Sequence, residues 1–167
     1  KYEVNFSAST KALPSQSFSR GRPPICYTCI MTEKIDVKGA ALVLVQGDKV
    51  LLQLRDDKPG ISYPNCWTFA GAGYIEQGEE PLAKRELLEE TGYVSKTPLP
   101  LMVETYTLPN GKVMQAHRFY EIYDGTQEIK CYEGQKMEFK SVDEASLLKL
   151  KPGVLETMEK AIEKSHQ

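Results

Sequence analysis

Arg85-Glu86-Leu87-Leu88-Glu89-Glu90-Thr91-Gly92 is the stretch from which the fold and chemistry of this 167-residue chain are best approached. On a helix its three glutamates lie at i, i+3 and i+4, within an arc of roughly 100°. Leu87 and Leu88 point away from that arc and are expected to face the core. Like charges so close repel by about 0.2–0.5 kcal/mol per pair. A hard divalent cation such as Mg²⁺ or Mn²⁺ would remove that penalty, because carboxylate oxygens are its preferred ligands.

An acidic face of this kind has a simpler interpretation, in which it is solvated and Arg85 partly balances Glu89 at i, i+4. The segment just upstream, 69–79, favours a binding site instead. It reads Phe-Ala-Gly-Ala-Gly-Tyr-Ile-Glu-Gln-Gly-Glu. Glycines in such a turn let the backbone approach a ligand and leave a carbonyl or amide free to point at it. The turn and the acidic segment together therefore favour a metal-bearing helix.

The composition is that of one globular domain with a full core. Hydrophobic residues make up 41% of the chain and charged residues 26%, and the formal net charge is −2. This charge gives no general attraction for nucleic acid or an anionic membrane, so neither is expected as a partner. No apolar run reaches the roughly 18 residues of a membrane span. No signal peptide is visible, and we expect a cytoplasmic protein.

The four cysteines carry little functional signal. Cys26 and Cys29 form a Cys-x-x-Cys pair, but a structural zinc site needs four ligands. Cys66 and Cys131 stand alone. Reduced thiols are the favoured interpretation, and a zinc or redox module is the weaker one.

The order of elements predicts a mixed α/β (α+β) domain with an antiparallel or mixed sheet between helices. Residues 1–35 form an irregular N-terminal extension, and the domain is expected over 36–167. An apolar strand at 40–45 and a second at 49–55 flank a hairpin turn, and 67–69 is a short strand. Helix is predicted over 81–91. Asn110-Gly111 predicts a hairpin between strands at 99–108 and 112–123. Residues 137–139 form a short strand, Ser141 begins a capping box, and a last helix covers about 154–164.

The pattern Gly73-x5-Glu79 followed by Arg85-Glu86-Leu87-x-Glu89-Glu90-x-Gly92-Tyr93 closely resembles the Nudix box. Only five residues separate Glu79 from Arg85, where the family has seven. With the spacing instead held rigid from Arg85, the box would begin at Gly71 and place Gln77 at the glutamate position. We favour the first alignment, because Glu76-x-Gly78-Glu79 itself matches the family. The resemblance covers about three quarters of the chain and implies an α/β/α sandwich with a mixed sheet.

The resemblance implies a hydrolase that cleaves a nucleoside diphosphate linked to another group, with Mg²⁺, or Mn²⁺ in its place. The metal would be held by Glu86, Glu89, Glu90 and a backbone carbonyl near Gly73. Glu89 is thereby also catalytic, and Arg85 belongs to the family's ion pair with Glu79. A small-molecule nucleotide is the implied partner, and the resemblance also allows a homodimer.

Four further residues are candidates with open alternatives. Glu133-Gly134-Gln135 resembles a motif of MutT-type members, so Glu133 is either a fourth ligand or general base, or an ordinary loop glutamate. Arg55 corresponds to a phosphate-holding position but also suits surface charge. Trp67 and Phe69 are candidates for stacking on a base, although aromatic residues that flank a buried strand more often belong to the core.

The substrate remains open between a (d)NTP and an ADP-ribose-like molecule. Pro109 lies 16 residues after Tyr93, as in ADP-ribose enzymes, but a hairpin turn explains it equally. MutT-type enzymes often place an Asn near the C-terminal helix, where this chain has Lys151-Pro152-Gly153. The altered box spacing and the extra N-terminal residues keep a second function open, a catalytically weakened domain that binds nucleotide as a sensor or scaffold.

Overall fold

The structure is a computed structural model that describes residues 34–74, 78–108 and 110–167. These residues belong to one compact unit. Nearly all of the predicted N-terminal extension, including Cys26 and Cys29, lies outside the described residues, as does Pro109. Cys66 and Cys131 are free thiols.

Seven strands and three helices make up the described part of the chain. The strands are β1 (Val37–Gln46), β2 (Lys49–Leu54), β3 (Trp67–Phe69), β4 (Ala72–Tyr74), β5 (Leu99–Thr107), β6 (Val113–Ile122) and β7 (Lys136–Lys140). The helices are α1 (Glu79–Thr91), α2 (Val142–Ser146) and α3 (Val154–Ser165). This mixed sheet with helices confirms the predicted mixed α/β class. The Asn-Gly hairpin between β5 and β6 and the Ser141 capping box of α2 also form as predicted.

The strands form one mixed sheet that opens into a wedge. β1 runs parallel to β6 along one edge, and its other edge is shared by β2 at Val45 and by β4 at Ala40. β2 likewise pairs with β7 along one edge. Along its other edge, the first residues of β2 pair with β1 and the last residues pair with β3. The strands β1 and β2 therefore diverge after their hairpin, and the β3–β4 segment fills the gap between them. This wedge carries the glycine-rich turn into the middle of the molecule.

Helices cover both faces of the sheet. Alternate residues of β1 enter two different cores, since side chains of a strand point to opposite faces. Leu42 and Leu44 pack with Leu87 of α1, whereas Val43 and Val45 pack with Met158 of α3. The result is the α/β/α sandwich that was expected.

The prediction for the helix needs two corrections. α1 begins at Glu79, two residues before the predicted start, with Gly78 as its N-cap. Leu88 was expected in the core but is 44% exposed. The packed face of α1 runs through Leu82, Ala83 and Leu87 to Glu90 and Thr91, so Glu90 is the one glutamate of the acidic arc that borders the core, and Leu88 is not part of this face. No helix among the described residues is long and apolar enough to span a membrane.

Candidate active site

Two glycines of the β3–β4 turn lie directly against α1. Gly71 has φ 71°, and a Cβ there would lie 2.8 Å from the backbone nitrogen and Cα of Leu87. A Cβ on Gly73 would lie 2.6 Å from the carboxyl carbon of Glu86. Neither position can carry a side chain without moving the helix or its carboxylate. The glycines therefore explain how the turn comes close enough for its peptide groups to reach the acidic face.

Glu90 is the buried member of that face, 8% exposed. Its Oε2 accepts a hydrogen bond of 2.9 Å from the backbone N–H of Gly71. Burial raises the pKa of Glu90 to about 7, and the nearby charges of Glu133 and Glu86 add to the rise. The Gly71 N–H and the Gln53 side chain act in the opposite direction, because they stabilise the carboxylate. The charges of Glu133 and Glu86 thus both act on the buried carboxyl group of Glu90.

Arg85 bridges the other two glutamates of α1. Its guanidinium lies 2.6 Å from Glu86 Oε1 and 3.0 Å from both carboxylate oxygens of Glu89. Glu89 stays largely in solvent, with its side chain 57% exposed. Glu79, which the resemblance pairs with Arg85, has its carboxylate 3.8 Å from Nε2 of His117 on β6.

The Glu133-Gly134-Gln135 motif is a docked loop whose parts have separate structural tasks. A Cβ on Gly134 would lie 2.7 Å from the carbonyl oxygen of Leu54, so only glycine fits there. Gln135 donates from Nε2 to the carbonyl of Arg55 at 2.7 Å, and from its backbone N to Leu54 at 2.8 Å. Gln53 donates to the carbonyl of Glu133 at 2.8 Å.

The loop is also tied to the end of α1, because the N–H of Tyr132 donates to the carbonyl of Glu90 at 2.9 Å. These bonds hold the backbone of Glu133 beside Glu90. The same glutamate lines a cavity of about 310 Å³ with Arg55 and Lys58. The structure thus brings Glu133 together with the acidic face of α1.

A second cavity, of about 150 Å³, contains three cationic side chains, those of Arg55, Arg118 and Lys151. Gly73 also lines it, together with Tyr106. Arg118 is held by Glu104 through two hydrogen bonds, of 3.0 Å and 2.7 Å. Burial lowers the pKa of Lys151 to about 8, and the charges of Arg118 and Arg55 contribute. We call this space the cationic cavity.

Arg118, Lys151 and Tyr106 were not among the residues singled out in the sequence. A signal existed for Arg118, because it stands on the same side of β6 as Ala116 and Tyr120, which are buried. A cationic side chain that alternates into a row of buried residues is unusual, so the two-residue spacing along β6 was a usable signal. Lys151 carries no comparable local signal, since it reaches the cavity only through the pairing of Trp67 with Leu150.

The structure gives no support to base stacking by Trp67 and Phe69. They are 6% and 4% exposed and pack in the core with Val154 and Met158 of α3. Lys136 also lies over the Trp67 ring, 5.1 Å from its centroid. Since neither ring is open to a ligand, the core alternative describes them better. Both alternate with Thr68, whose side chain faces the other way, toward the cationic cavity.

The donor set suits a hard divalent cation. Glu86, Glu89, Glu90 and Glu133 offer only oxygen, and their mutual repulsion is the condition that such a cation relieves. Within the described residues no three acidic, histidine or cysteine side chains are already grouped for metal binding. Two of these carboxylates, those of Glu86 and Glu89, accept hydrogen bonds from Arg85. The carbonyl oxygen of Gly73 faces β1, where a Cβ on Gly39 would lie 3.0 Å from it.

Comparison with known proteins agrees with the fold. The model of the NUDIX domain matches residues 37–162. A MutT NUDIX hydrolase from Burkholderia pseudomallei is similar, with TM-score 0.64 at 20% identity over 74% of this chain and 96% of that one. The NUDIX domain of Shewanella oneidensis NrtR, solved with ADP ribose, has TM-score 0.66 at 18% identity, covering 80% of this chain and 91% of that one.

A C. elegans Ap4A hydrolase in a binary complex has TM-score 0.60 at 18% identity, over 74% of this chain and 93% of that one. No curated protein matches the sequence. At these identities the solved structures establish the fold alone, while the domain match covers most of the chain. The chain belongs to the NUDIX family and is a hydrolase of the class that acts on phosphoric anhydride bonds.

Proposed function

We propose that the protein hydrolyses a pyrophosphate bond in a nucleoside diphosphate derivative, with water attacking phosphorus and Mg²⁺ as the cofactor. The observation that supports this most directly is the position of Gly73. One side of this glycine touches the carboxylate of Glu86, and it also lines the cationic cavity. Groups suited to a metal and groups suited to phosphate therefore adjoin at one residue.

The residues that would hold the metal are Glu86, Glu89 and Glu90, with Gly73 as a backbone neighbour. When bound, Mg²⁺, or Mn²⁺ in its place, neutralises charge on the phosphates and lowers the pKa of coordinated water. Glu90 is kept in place by the N–H of Gly71, and Arg85 holds the carboxylates of Glu86 and Glu89 beside it. Arg85 is therefore proposed as a positioning residue that bridges two of the ligands.

Glu133 is the candidate general base or further ligand. Its loop is fixed to both α1 and β2, and its charge is felt at Glu90. A carboxylate held there can accept a proton from a water that attacks phosphorus. Arg55 lines both cavities and is the candidate to hold a phosphate of the substrate.

For the substrate we keep two classes, a (d)NTP and an ADP-ribose-like molecule. The similar NrtR domain was solved with ADP ribose, and the similar C. elegans protein is described as an Ap4A hydrolase. Both names concern compounds in which a nucleoside carries linked phosphates, which agrees with this proposal. We also propose that the protein is cytoplasmic and that it forms a homodimer.

A catalytically weakened, nucleotide-binding domain is the second candidate. The feature that favours it is the position of Glu79, whose carboxylate lies 3.8 Å from Nε2 of His117, although the family pairs this glutamate with Arg85. Such a protein would bind a nucleotide and show no turnover, so the two candidates separate in one experiment.

The test uses the full chain with Mg²⁺ and a panel of dNTPs, ADP-ribose and dinucleoside polyphosphates, in ¹⁸O-water. We expect monophosphate release with ¹⁸O in one phosphate product. Glu89→Gln and Glu133→Gln should each lower kcat by about 10²-fold or more, in the range of a lost acid–base group.

Glu159→Gln is the matched control, because Glu159 is an exposed glutamate on α3, away from the site. It should leave kcat unchanged. Turnover of the panel that survives Glu89→Gln in full would contradict the proposed active site. Thermal stabilisation by one nucleotide with no turnover of any would favour the weakened domain.

A further inference from the structure

A third cavity adjoins the cationic cavity and has aromatic walls. Its volume is about 260 Å³, and two tyrosine side chains line it, those of Tyr63 and Tyr106. Because Tyr106 and Lys151 line both this cavity and the cationic cavity, the two spaces share a wall. We call the third space the tyrosine cavity. A ligand whose phosphates lie in the cationic cavity can therefore extend into it.

Both tyrosines can be reached by a ligand. Each is half-buried, whereas Trp67 and Phe69, the aromatic residues of β3, lie in the core. Within the described part of the chain, neither Tyr63 nor Tyr106 stacks on another aromatic ring. The faces of such rings attract the flat face of a nucleobase. The cavity is smaller than the usual pocket for a drug-sized molecule, so it suits one ring system better than a whole nucleotide.

The turn that carries Tyr63 holds its ring at the cavity. On one side of Tyr63, Arg55 donates from Nε to the carbonyl of Ser62 at 2.9 Å. On the other side, Lys149 donates from Nζ to the carbonyl of Pro64 at 3.3 Å. Tyr63 itself has φ 54°, in the left-handed region that bulky residues seldom adopt. Such strain persists where the surrounding structure fixes a residue, so we infer that the position of this ring matters.

Glu104 adds a hydrogen-bond acceptor to the wall of the tyrosine cavity. It is two residues from Tyr106, so both project from the same face of β5 and both line the cavity. Its Oε1 accepts both hydrogen bonds from Arg118. Its Oε2 accepts none from the residues that the structure describes, and a Cβ on Gly153 would lie 3.5 Å from it. Since a carboxylate oxygen can only accept, this atom suits an N–H donor of a ligand.

We propose that the tyrosine cavity binds the nucleobase of the substrate, with its ring against Tyr63 and Tyr106 and its exocyclic amino group donating to Oε2 of Glu104. The substrate class is accordingly a nucleotide of adenine, guanine or cytosine. A base with a carbonyl oxygen in place of that amino group is disfavoured, because two acceptors would face each other. This inference rests on the proposed function, since that function assigns the cationic cavity to phosphate.

The experiment compares nucleotides that differ at one position of the base. ATP and GTP are each compared with ITP, and CTP is compared with UTP, so that each pair has one member without the amino group. Affinities are measured by calorimetry on the full chain in EDTA, where the proposed Mg²⁺-dependent turnover does not occur. We expect the amino-bearing member of at least one pair to bind about tenfold more tightly, the effect of one charge-assisted hydrogen bond.

The variant Glu104→Gln should remove that preference. Its amide oxygen can still accept from Arg118, while its NH₂ group would face the base as a donor and no longer favour an amino group. Glu159→Gln is the matched control, because Glu159 is exposed on α3 and does not line the cavity. The control should keep the preference. Circular dichroism checks that each variant is folded.

The variant Tyr63→Ala tests the stacking. It should weaken binding of the preferred nucleotide about tenfold, whereas Tyr63→Phe, which keeps the ring, should bind almost as well as the unmodified protein. Tripolyphosphate has no base, so Tyr63→Ala should bind it as tightly as the unmodified protein does. This comparison separates contact with a base from a general loss of structure.

No binding, or equal affinity within every pair, in the unmodified protein would overturn the inference. A preference that survives Glu104→Gln in the folded variant would also overturn it, as would an equal loss of nucleotide and tripolyphosphate binding in Tyr63→Ala. The proposed hydrolysis fails separately. If the preference is measured in EDTA but no nucleotide is hydrolysed with Mg²⁺, the base site stands and the hydrolytic function does not.

Discussion

Glu90 shows how burial changes the ionisation of a single carboxyl group. Its side chain lies at the border of the core, next to Leu87, and its one backbone partner is the N–H of Gly71. Desolvation and two neighbouring acids work against its ionised form. The cost of this arrangement should be measurable as a loss of stability when no cation is present.

The substitution Glu90→Gln should remove that cost. The pKa of Glu90 is about 7 in the fold against an ordinary value of 4.5, so between these pH values the folded protein keeps a proton that the unfolded chain releases. The contribution of Glu90 to the free energy of unfolding therefore falls as pH rises through this window. In EDTA at pH 8 the variant should be more stable than the unmodified protein, by up to about 3 kcal/mol.

Urea unfolding at several pH values gives the comparison. At pH 4 the two proteins should differ little, because Glu90 is protonated in both states and glutamine can still accept from Gly71. A difference in stability that does not change between pH 4 and pH 8 would contradict the interpretation. Adding Mg²⁺ at pH 8 should stabilise the unmodified protein more than the variant.

At the scale of elements, the site depends on how closely the β3–β4 turn approaches α1. The turn is carried into place by the divergence of β1 and β2, and its glycines allow contact with the helix. The second element of the site is the 130–135 loop, which joins the end of α1 to the end of β2. Each of these two connections can be tested by a substitution that leaves the carboxylates of the site unchanged.

Gly71→Ala should both destabilise the protein and abolish activity. The new Cβ would lie 2.8 Å from the backbone of Leu87, and the residue has φ 71°. Overpacking of this kind costs about 1–3 kcal/mol, beyond the strain of the left-handed backbone. Gly47→Ala is the matched control, because Gly47 has φ 56° and nothing within 4 Å of the added Cβ. If thermal unfolding shows equal losses for the two variants, contact with the helix is not what requires glycine at 71.

Gln135→Ala should lower kcat although Gln135 is remote from the acidic face of α1. The side chain holds the carbonyl of Arg55 at 2.7 Å and the amide oxygen of Asn65 at 2.6 Å, and so fixes the loop that carries Glu133. A misplaced base costs about 10–100-fold in rate. We expect KM for Mg²⁺ to change little, and Gln167→Ala at the C-terminus to have no effect. Unchanged kcat would show that Glu133 is positioned by other bonds.

At the scale of the whole molecule, the described residues form one sandwich in which each sheet face has its own helix and its own core. The site lies where the sheet opens, so it draws on strands from both sides of the wedge. Arg55 comes from the end of β2, Gly73 from β4 and Arg118 from β6. No single segment of the chain contains the site.

This organisation predicts that a fragment of residues 34–167 folds on its own. It contains both cores, and the NUDIX match lies entirely within it. The fragment should unfold in one cooperative transition when followed by circular dichroism and by Trp67 fluorescence. Non-coincident transitions, or a fragment without near-ultraviolet dichroism, would show that the first 33 residues are needed for the fold.

Most strands and helices, the acidic helix among them, could be predicted from the sequence, because they depend on local signals; β4 could not. Asn110-Gly111 turns a hairpin, Ser141 caps a helix and Gly92 ends one, whatever surrounds them. The Nudix box and Glu133-Gly134-Gln135 could likewise be recognised from spacing alone. Their glycines now have a physical reason, since a Cβ at Gly71, Gly73 or Gly134 would collide with a neighbour.

The sequence did not reveal which side chains lie together in the fold. Trp67 and Phe69 were candidates for stacking on a base, and their packing against α3 shows that they belong to the core. Leu88 was assigned to the core, but α1 packs through Leu87 and Glu90 and leaves Leu88 in solvent. Arg118 and Lys151 are 33 positions apart in the chain and meet in one cavity. Proximity between such residues arises from strand pairing and from the opening of the sheet, and no local pattern of residues encodes either.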